Sequence, residues 1–335
     1  MNKEILHKII LANGTTFESK YDCTLLDAAT NSDIALEYSC RSGRCGVCKA
    51  QVISGSTSVM KCEASLSIEE QDAGYILTCC RSAISDLMLD VDDLGDLAKY
   101  KAKTLPARID SIKFVANNVM EVVLRLPPSS IFDYRAGQYI DVIGDAGVRR
   151  SYSIANAPRE DRKIKLEIRK VENGVLSQYW FNEAKVNDLL RIHGPLGTFS
   201  FRPKTKRNLV LLATGTGIAP IKSILEELSS CTSKDQLHFD RVQLYWGGRF
   251  QDDLYWEPDF PNLPLNFTPV LSRTSDWLGR TGYVQQAVLD DQIDLSDSTV
   301  YACGSENMIH SAKITLVSAG LSPTQFYSDA FVSSS

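Results

Sequence analysis

Four cysteines carry the most pointed chemistry in this sequence. Cys40, Cys45 and Cys48 fall in the run Tyr38-Ser39-Cys40-Arg41-Ser42-Gly43-Arg44-Cys45-Gly46-Val47-Cys48, and a distant fourth, Cys79, follows Leu77-Thr78. Cys-x4-Cys-x2-Cys with a remote fourth thiol is the ligand spacing of a 2Fe-2S cluster, and thiolates are soft donors suited to iron-sulfur chemistry. Gly43 and Gly46 let the loop backbone approach such a cluster and leave N–H groups to bond its sulfurs. Cys40, Cys45, Cys48 and Cys79 are therefore the expected metal ligands, and the expected chemistry is movement of one electron at a time. A structural zinc site is the alternative, but zinc ribbons favour two short Cys-x2-Cys knuckles, and only one close pair is present.

A second concentration lies at Thr214-Gly215-Thr216-Gly217-Ile218-Ala219-Pro220, after the apolar run Leu209–Ala213 and before the helix-like stretch Ile221–Leu228. Strand, glycine turn and helix in that order are the context of a nucleotide-binding loop. Gly215, Thr216 and Gly217 would permit close backbone approach. Pro220 suits a first helical turn, whose free N–H groups can receive a pyrophosphate. Ending in Pro, the run departs from Gly-x-Gly-x-x-Gly.

The elements around these motifs divide the 335 residues into an α+β multidomain chain, with 44% hydrophobic and 23% charged residues as in an ordinary globular protein. Residues 1–93 read as strand Ile9–Leu11, an Asn13-Gly14 hairpin, a strand over Thr15–Glu18, a helix near Leu25–Ala29, the cysteine loop and a last strand over Leu87–Val91. Residues 94–104, charged and poor in apolar anchors, read as a linker. Residues 105–204 hold alternating runs at Ala107–Ile112, Met120–Leu126 and Gln138–Ile143, separated by Pro, Gly and Asn, which predict an antiparallel β-barrel. Residues 205–335 change to continuous apolar strands, Leu209–Ala213, Val242–Gly247 and Ser298–Ala302, and predict an α/β parallel sheet.

Net charge is −5, which speaks against a nucleic-acid partner. Residues 1–93 hold 8 Lys and Arg against 14 Asp and Glu, a net −6, so the remainder carries about +1. An acidic surface near an electron exit could steer a basic partner or be merely solvated. The start, Met1–Lys8, has no signal-like apolar region, and no apolar run is long enough to span a bilayer. A cytoplasmic protein without membrane association is expected, with reduced cysteines; oligomeric state is left open.

Two further motifs resemble a known family. Hairpin, helix and cysteine loop look like a β-grasp ferredoxin. Arg150-Ser151-Tyr152-Ser153, continued by Ile154-Ala155-Asn156-Ala157-Pro158, resembles the flavin motif of the ferredoxin-NADP reductase superfamily. The resemblance implies FAD: Arg150 neutralising the pyrophosphate, Tyr152 against the isoalloxazine ring and the Ser153 hydroxyl near its N5. Ile168-Arg169-Lys170 and Gly174-Val175-Leu176-Ser177 fall where that family continues its phosphate-binding segment. Pro220 is the family's ending for the nucleotide turn, and Thr214 stands where many relatives have Gly. Cys303-Gly304 with Met308 resembles the segment that places a thiol beside nicotinamide, and Phe331 the terminal aromatic that covers the flavin. Gly247, Arg249, Ser272 and Arg273 fall at the remaining nucleotide positions, Ser272 and Arg273 where NADPH-selective members hold the 2′-phosphate; NADH and NADPH both stay open.

Cluster domain, FAD barrel and nucleotide domain together resemble the reductase components of bacterial multicomponent systems over the whole chain. That implies electron flow from NAD(P)H through FAD and the 2Fe-2S cluster to a protein acceptor. Glu37–Cys40, Ile76–Cys80, Arg149–Pro158 and Ser328–Val332 are most similar to the reductases of 3,6-dideoxyhexose biosynthesis. Their acceptor would be a pyridoxamine-phosphate dehydratase acting on a CDP-4-keto-6-deoxyhexose for O-antigen sugars. Cys79 matches the family ligand, leaving Cys80 a neighbouring thiol facing away. The reductase of a multicomponent oxygenase is the alternative, and a redox subunit bound permanently to its partner a third reading.

Overall fold

The computed structural model describes residues 5–202, 206–230, 239–274 and 276–332. The boundary expected at 204/205 lies outside them. The chain forms two compact units, one ending at Lys101 and one spanning Ala102–Phe331.

In the first unit, strands β1 (Leu6–Leu11) and β2 (Thr16–Lys20) pair antiparallel across a turn in which Gly14 takes φ +83°, a conformation that suits glycine. Helix α1 (Leu25–Asn31) starts where the Thr24 hydroxyl accepts the Asp27 N–H at 3.1 Å, and it buries Leu25, Leu26, Ala28 and Ala29. Then come β3 (Lys49–Ser54), β4 (Thr57–Val59), α2 (Ile68–Asp72), β5 (Tyr75–Leu77), β6 (Arg81–Ala83) and β7 (Leu87–Leu89). The main sheet has the order β2-β1-β7-β3-β5, with β1 and β7 parallel, and β4 pairs with β6 separately. Ile9, Leu11, Leu25, Leu77, Leu87 and Leu89 form its core.

The stretch expected as linker is ordered against this unit. Leu94 donates its N–H to the Ala35 carbonyl at 2.8 Å, the Asp93 carboxylate accepts from Ala35 and Gly95, and Gly95–Lys99 makes a tight helical turn. The acceptor, Asp93, is the residue just before that stretch.

The second unit opens with a barrel: β8 (Lys103–Ala116), β9 (Val119–Arg125), β10 (Tyr139–Ile143), β11 (Arg149–Ser153), β12 (Lys163–Arg169) and β13 (Leu189–Leu196). All pairings are antiparallel in the order β11-β10-β13-β8-β9-β12, and a bridge from Ile154 to Leu166 brings the end of β11 back to β12 and closes the sheet. A short helix α3 (Val175–Gln178), continued by a π turn over Tyr179–Glu183, comes after β12.

The parallel sheet contains β14 (Asn208–Thr214), β15 (Arg241–Gly248), β16 (Leu265–Leu271), β17 (Arg280–Thr281), β18 (Ser298–Ser305) and β19 (Phe326–Phe331), with helices α4 (Ile218–Ser230), α5 (Val284–Asp290) and α6 (Glu306–Ser318). The order β17-β16-β15-β14-β18-β19 reverses direction between β14 and β18. Ligands in open α/β sheets bind outside the carboxyl ends of the strands at such a reversal.

Barrel and parallel sheet belong to one unit because polar groups on β12 and α4 are buried together. The Glu167 carboxylate, 1% exposed, pairs with Lys222 of α4 and accepts the Tyr255 hydroxyl at 2.7 Å. Lys222 also lies 5.1 Å over the Trp256 ring. Further along α4, Ser223 donates to the Asn156 carbonyl at 2.7 Å and Glu226 accepts from Ala157 N–H and Arg159. Removing one partner of a buried ion pair costs about 3 kcal/mol or more. Glu167→Ala should accordingly lower the melting temperature of this unit by roughly 6–12 °C. Replacing both partners, Glu167→Leu with Lys222→Met, should cost clearly less; calorimetry of the three proteins checks the order.

Candidate redox centres and nucleotide site

The cysteine loop is pinned beside its first ligand. Arg41, at φ +54°, pairs with Asp27 of α1 and lies 5.0 Å over the Tyr38 ring. The four expected ligands then meet as two pairs. Cys48 and Cys79 have sulfurs 3.3 Å apart, and Cys40 is hydrogen-bonded to Cys45. Among the described residues no three ligating side chains converge on a single ion. A lone tetrahedral zinc needs such convergence, whereas two irons sharing four thiolates need two thiols each, so the arrangement fits a 2Fe-2S cluster.

Backbone N–H groups turn toward the sulfurs: Ser42 to Cys40 at 3.4 Å, Val47 to Cys45 and Gly43 to Cys79. The hydrogen bond shared within each pair draws Cys40 and Cys79 below the ordinary thiol range and pushes Cys45 and Cys48 above it. Metal loading must displace the retained protons.

One residue here carries no signal in the sequence, and a second differs from its expectation. Glu63, buried, accepts the Leu77 N–H at 2.7 Å and Arg81 Nε at 2.8 Å, holding the chain on both sides of Cys79. Cys80 does not face away: its sulfur is 3.5 Å from that of Cys79, and burial pushes its thiol up to about 12. Gly43, at φ +77°, packs so tightly that a Cβ would overlap the Cys62 carbonyl and come within 2.8 Å of Cys80 Sγ. On the pairing geometry, Cys79→Ser should abolish the cluster's visible spectrum and Cys80→Ser should retain it; the reverse would reassign the fourth ligand.

On β11, alternation puts Arg150 and Tyr152 on one face, while the Ser151 hydroxyl donates to Asp141 Oδ1 at 2.7 Å from the other. Arg150 is half-buried and Nη1 donates to the Arg149 carbonyl at 2.7 Å. The Tyr152 hydroxyl accepts from Trp180 Nε1 at 3.1 Å, and burial raises its pKa to about 12, so the phenol is neutral. Ser153 is buried opposite Tyr139. Ile168 points into the barrel core, so only its backbone can meet a cofactor. Gly174 precedes α3, Val175 is exposed, and the Ser177 hydroxyl accepts the Val171 N–H at 2.8 Å. A fixed neutral ring beside a guanidinium is a donor set that fits a flavin with its phosphates.

Arg169 lies elsewhere than beside Gly174. Its Nη1 would be 2.8 Å from a Cβ on Gly215 (φ +53°), and Asp253 stands 3.8 Å from the guanidinium, so it reaches the nucleotide turn. That turn sits directly on β18: a Cβ on Gly217 would overlap the Cys303 carbonyl, and one on Gly304 the Thr214 hydroxyl. Trp246 Nε1 donates to the Gly215 carbonyl at 2.9 Å, and Pro220 is buried at the start of α4. Thus the segments 214–220 and 303–304 meet at the strand-order reversal. Cys303 is 0% exposed, and burial, then Asp329, keeps its thiol protonated.

Gly247 packs against Thr214 and Val284. Ser272 and Arg273 donate their N–H groups to the carbonyls of Gly248 and Arg249, each at 3.0 Å, which brings Arg249 and Arg273 together at the ends of β15 and β16. Both side chains are exposed and have no ion-pair partner among the described residues. Two unneutralised guanidinium groups can take a phosphate. Phe331, at the end of β19, is 38% exposed opposite Ser305.

Three family models match along the chain. The sequence matches the 2Fe-2S iron-sulfur cluster binding domain over residues 9–83, the oxidoreductase FAD-binding domain over 106–201 and the oxidoreductase NAD-binding domain over 211–313. It is 46% identical to the CDP-6-deoxy-L-threo-D-glycero-4-hexulose-3-dehydrase reductase of Yersinia pseudotuberculosis, covering 96% of this chain and 97% of that one. The chain belongs to the iron-sulfur flavoprotein reductases of the ferredoxin-NADP reductase superfamily. A terephthalate 1,2-dioxygenase reductase component of Comamonas is 32% identical over 93% of both chains. Among solved structures, the Amycolatopsis cytochrome P450 reductase GcoB superposes with TM-score 0.76 at 27% identity, covering 98% of this chain and 100% of that one.

This reductase is thus an NAD(P)H-dependent iron-sulfur flavoprotein oxidoreductase that delivers electrons to a protein acceptor. No helix among its described residues is long and apolar enough to cross a membrane. Gly217→Ala should cut NAD(P)H-dependent dye reduction severely, while FAD content and the cluster spectrum stay near wild type. Normal turnover in that variant would place the dinucleotide away from the 214–220 turn.

Proposed function

We propose that this reductase supplies electrons to a pyridoxamine-phosphate dehydratase that completes C3 deoxygenation of a CDP-4-keto-6-deoxyhexose for O-antigen 3,6-dideoxyhexoses. The observation that carries the choice of acceptor is the 46% identity, over nearly both chains, to a reductase named for a CDP-hexulose dehydrase, against 32% for a dioxygenase reductase component.

When bound, FAD supplies the exchange between a hydride pair and single electrons, and the cluster supplies a one-electron relay. The chain's own groups do the rest. Backbone amides of 215–217 and the half-exposed Arg169 hold a dinucleotide pyrophosphate, and Arg249 with Arg273 receives a 2′-phosphate when NADPH is the donor. The buried, protonated Cys303 presents a neutral surface to the nicotinamide. Arg150 binds the flavin pyrophosphate with the Gly174–Ser177 turn, Tyr152 supports the ring, Ser153 meets its N5 edge, and Phe331 shields the exposed side. Cys40, Cys45, Cys48 and Cys79 hold the cluster.

The test is anaerobic NADH or NADPH oxidation by the purified protein, coupled to a pyridoxamine-phosphate sugar dehydratase with CDP-4-keto-6-deoxyglucose. Formation of the 3-deoxy product only when the reductase is present is the expected result, and the two donors compared in one assay give the nucleotide preference. Rapid dye reduction with no sugar product would move the acceptor to an oxygenase.

A further inference from the structure

We infer that Trp180 is a positioning residue for the flavin, one that fixes both the ring plane and the hydroxyl direction of Tyr152. The inference rests on the reading of Arg150–Ser153 as the flavin strand and deepens it.

Trp180 is 1% exposed, and its indole N–H donates to the Tyr152 oxygen at 3.1 Å. The two rings stand edge to face, with centroids 6.2 Å apart and planes at 88°, a favourable aromatic geometry. An indole nitrogen can only donate, so the phenol oxygen must accept, and the Tyr152 proton is forced to point away from Trp180. No acceptor among the described residues takes that proton. It is left for a ligand on the face that Tyr152 shares with Arg150.

The segment that carries Trp180 is held at both ends. Upstream, the Ser177 hydroxyl accepts the Val171 N–H at 2.8 Å, next to the turn assigned to the flavin phosphates. Tyr179, the residue just before Trp180, packs its ring against it with centroids 5.2 Å apart, and its hydroxyl donates to Asp188 downstream at 3.0 Å, just before β13. Between these anchors the backbone makes a π turn over Tyr179–Glu183, a feature that recurs at functional sites because it re-aims a side chain within a helix. One short segment therefore serves both ends of the flavin: phosphate at Gly174–Ser177 and ring at Trp180–Tyr152.

Trp180→Phe keeps an aromatic of similar shape and removes the donor; Tyr152→Phe removes the acceptor and leaves the indole in place. FAD affinity would be measured on deflavinated full-length protein by flavin fluorescence, together with the visible circular dichroism of the bound flavin. Each single variant should weaken FAD about three- to tenfold, the range of one lost hydrogen bond, and alter the dichroism. The double variant should be no weaker than the worse single, because both remove the same bond. A packing role alone would give multiplying effects, and that result, or wild-type affinity in either single variant, overturns the inference. Should Trp180→Phe fail to fold by thermal melting, Trp180→Met, which also lacks the donor, takes its place: unchanged affinity and dichroism overturn the inference, while weakened binding with altered dichroism that is not additive with Tyr152→Phe supports it. Arg150→Ala separates the two levels: unchanged FAD binding there would mean the flavin strand itself is misplaced, whereas loss there with a wild-type-like Trp180→Phe would leave the strand and remove only the role of Trp180.

Discussion

A carboxylate taken out of water survives as a charge only where cations and hydroxyls replace its hydration, and Glu167 imposes that condition on the second unit. It sits on β12 of the barrel, yet Lys222 comes from α4 and Tyr255 from the segment after β15. The barrel cannot move away from the parallel sheet without stranding the charge. Arg169, two residues on and on the same face of β12, reaches Gly215 and Asp253. Trp246 joins the same set, edge-on to Tyr255 at 5.0 Å while donating to the Gly215 carbonyl. The barrel and the 214–220 turn are thus tied through one continuous group of contacts, buried at Glu167 and Trp246 and half-exposed at Arg169.

Legibility in the sequence tracked the range of each interaction. The cysteine spacing, the Asn13-Gly14 hairpin, the alternating barrel strands and the Thr214–Pro220 turn are local patterns, and each was readable because a few adjacent residues define it. The order of the parallel strands and the closure of the barrel through Ile154 and Leu166 depend on partners far apart in the chain and left no comparable mark. Glu63, Glu167 and Trp180 escaped for the same reason: an isolated Glu or Trp reads as solvated or as core until its partner is known. The stretch after residue 93 is charged and poor in apolar anchors, yet the Leu94 N–H bonds the Ala35 carbonyl and Gly95–Lys99 makes a tight turn, contacts that depend on a distant partner and on backbone geometry.

Sequence similarity and site geometry answer different questions here. The geometry bears on which groups could hold iron, flavin and nucleotide, while the whole sequence is similar both to a reductase named for a dehydrase and to one named for a dioxygenase. Nothing in the Gly217–Cys303 contact or the thiol pairs depends on the final acceptor. Acceptor choice must therefore be carried by surface residues, and it is there that overall identity, averaged over the chain, holds information the cofactor sites lack. The excess of acidic residues in 1–93 fits this division, because charge arranged away from the metal can steer a partner without altering the ligand set.

The cysteines make the link between environment and role explicit. Gly43 and Gly217 do the same steric work, each leaving room for a carbonyl that a Cβ would overlap: that of Cys62 in one unit, that of Cys303 in the other. The consequence for the sulfur is opposite. Near Gly43, backbone N–H groups and a neighbouring thiol point at Cys40 and Cys79 and favour thiolate, the form that binds iron. Beyond Gly217, Cys303 is wholly buried with Asp329 beside it, and both effects favour the neutral thiol. A charged sulfur there would demand hydration that the packed turn excludes. Spacing set the four paired cysteines apart from Cys303, and their surroundings agree with it: N–H groups and a neighbouring thiol favour thiolate at Cys40 and Cys79, while burial favours the neutral thiol at Cys303.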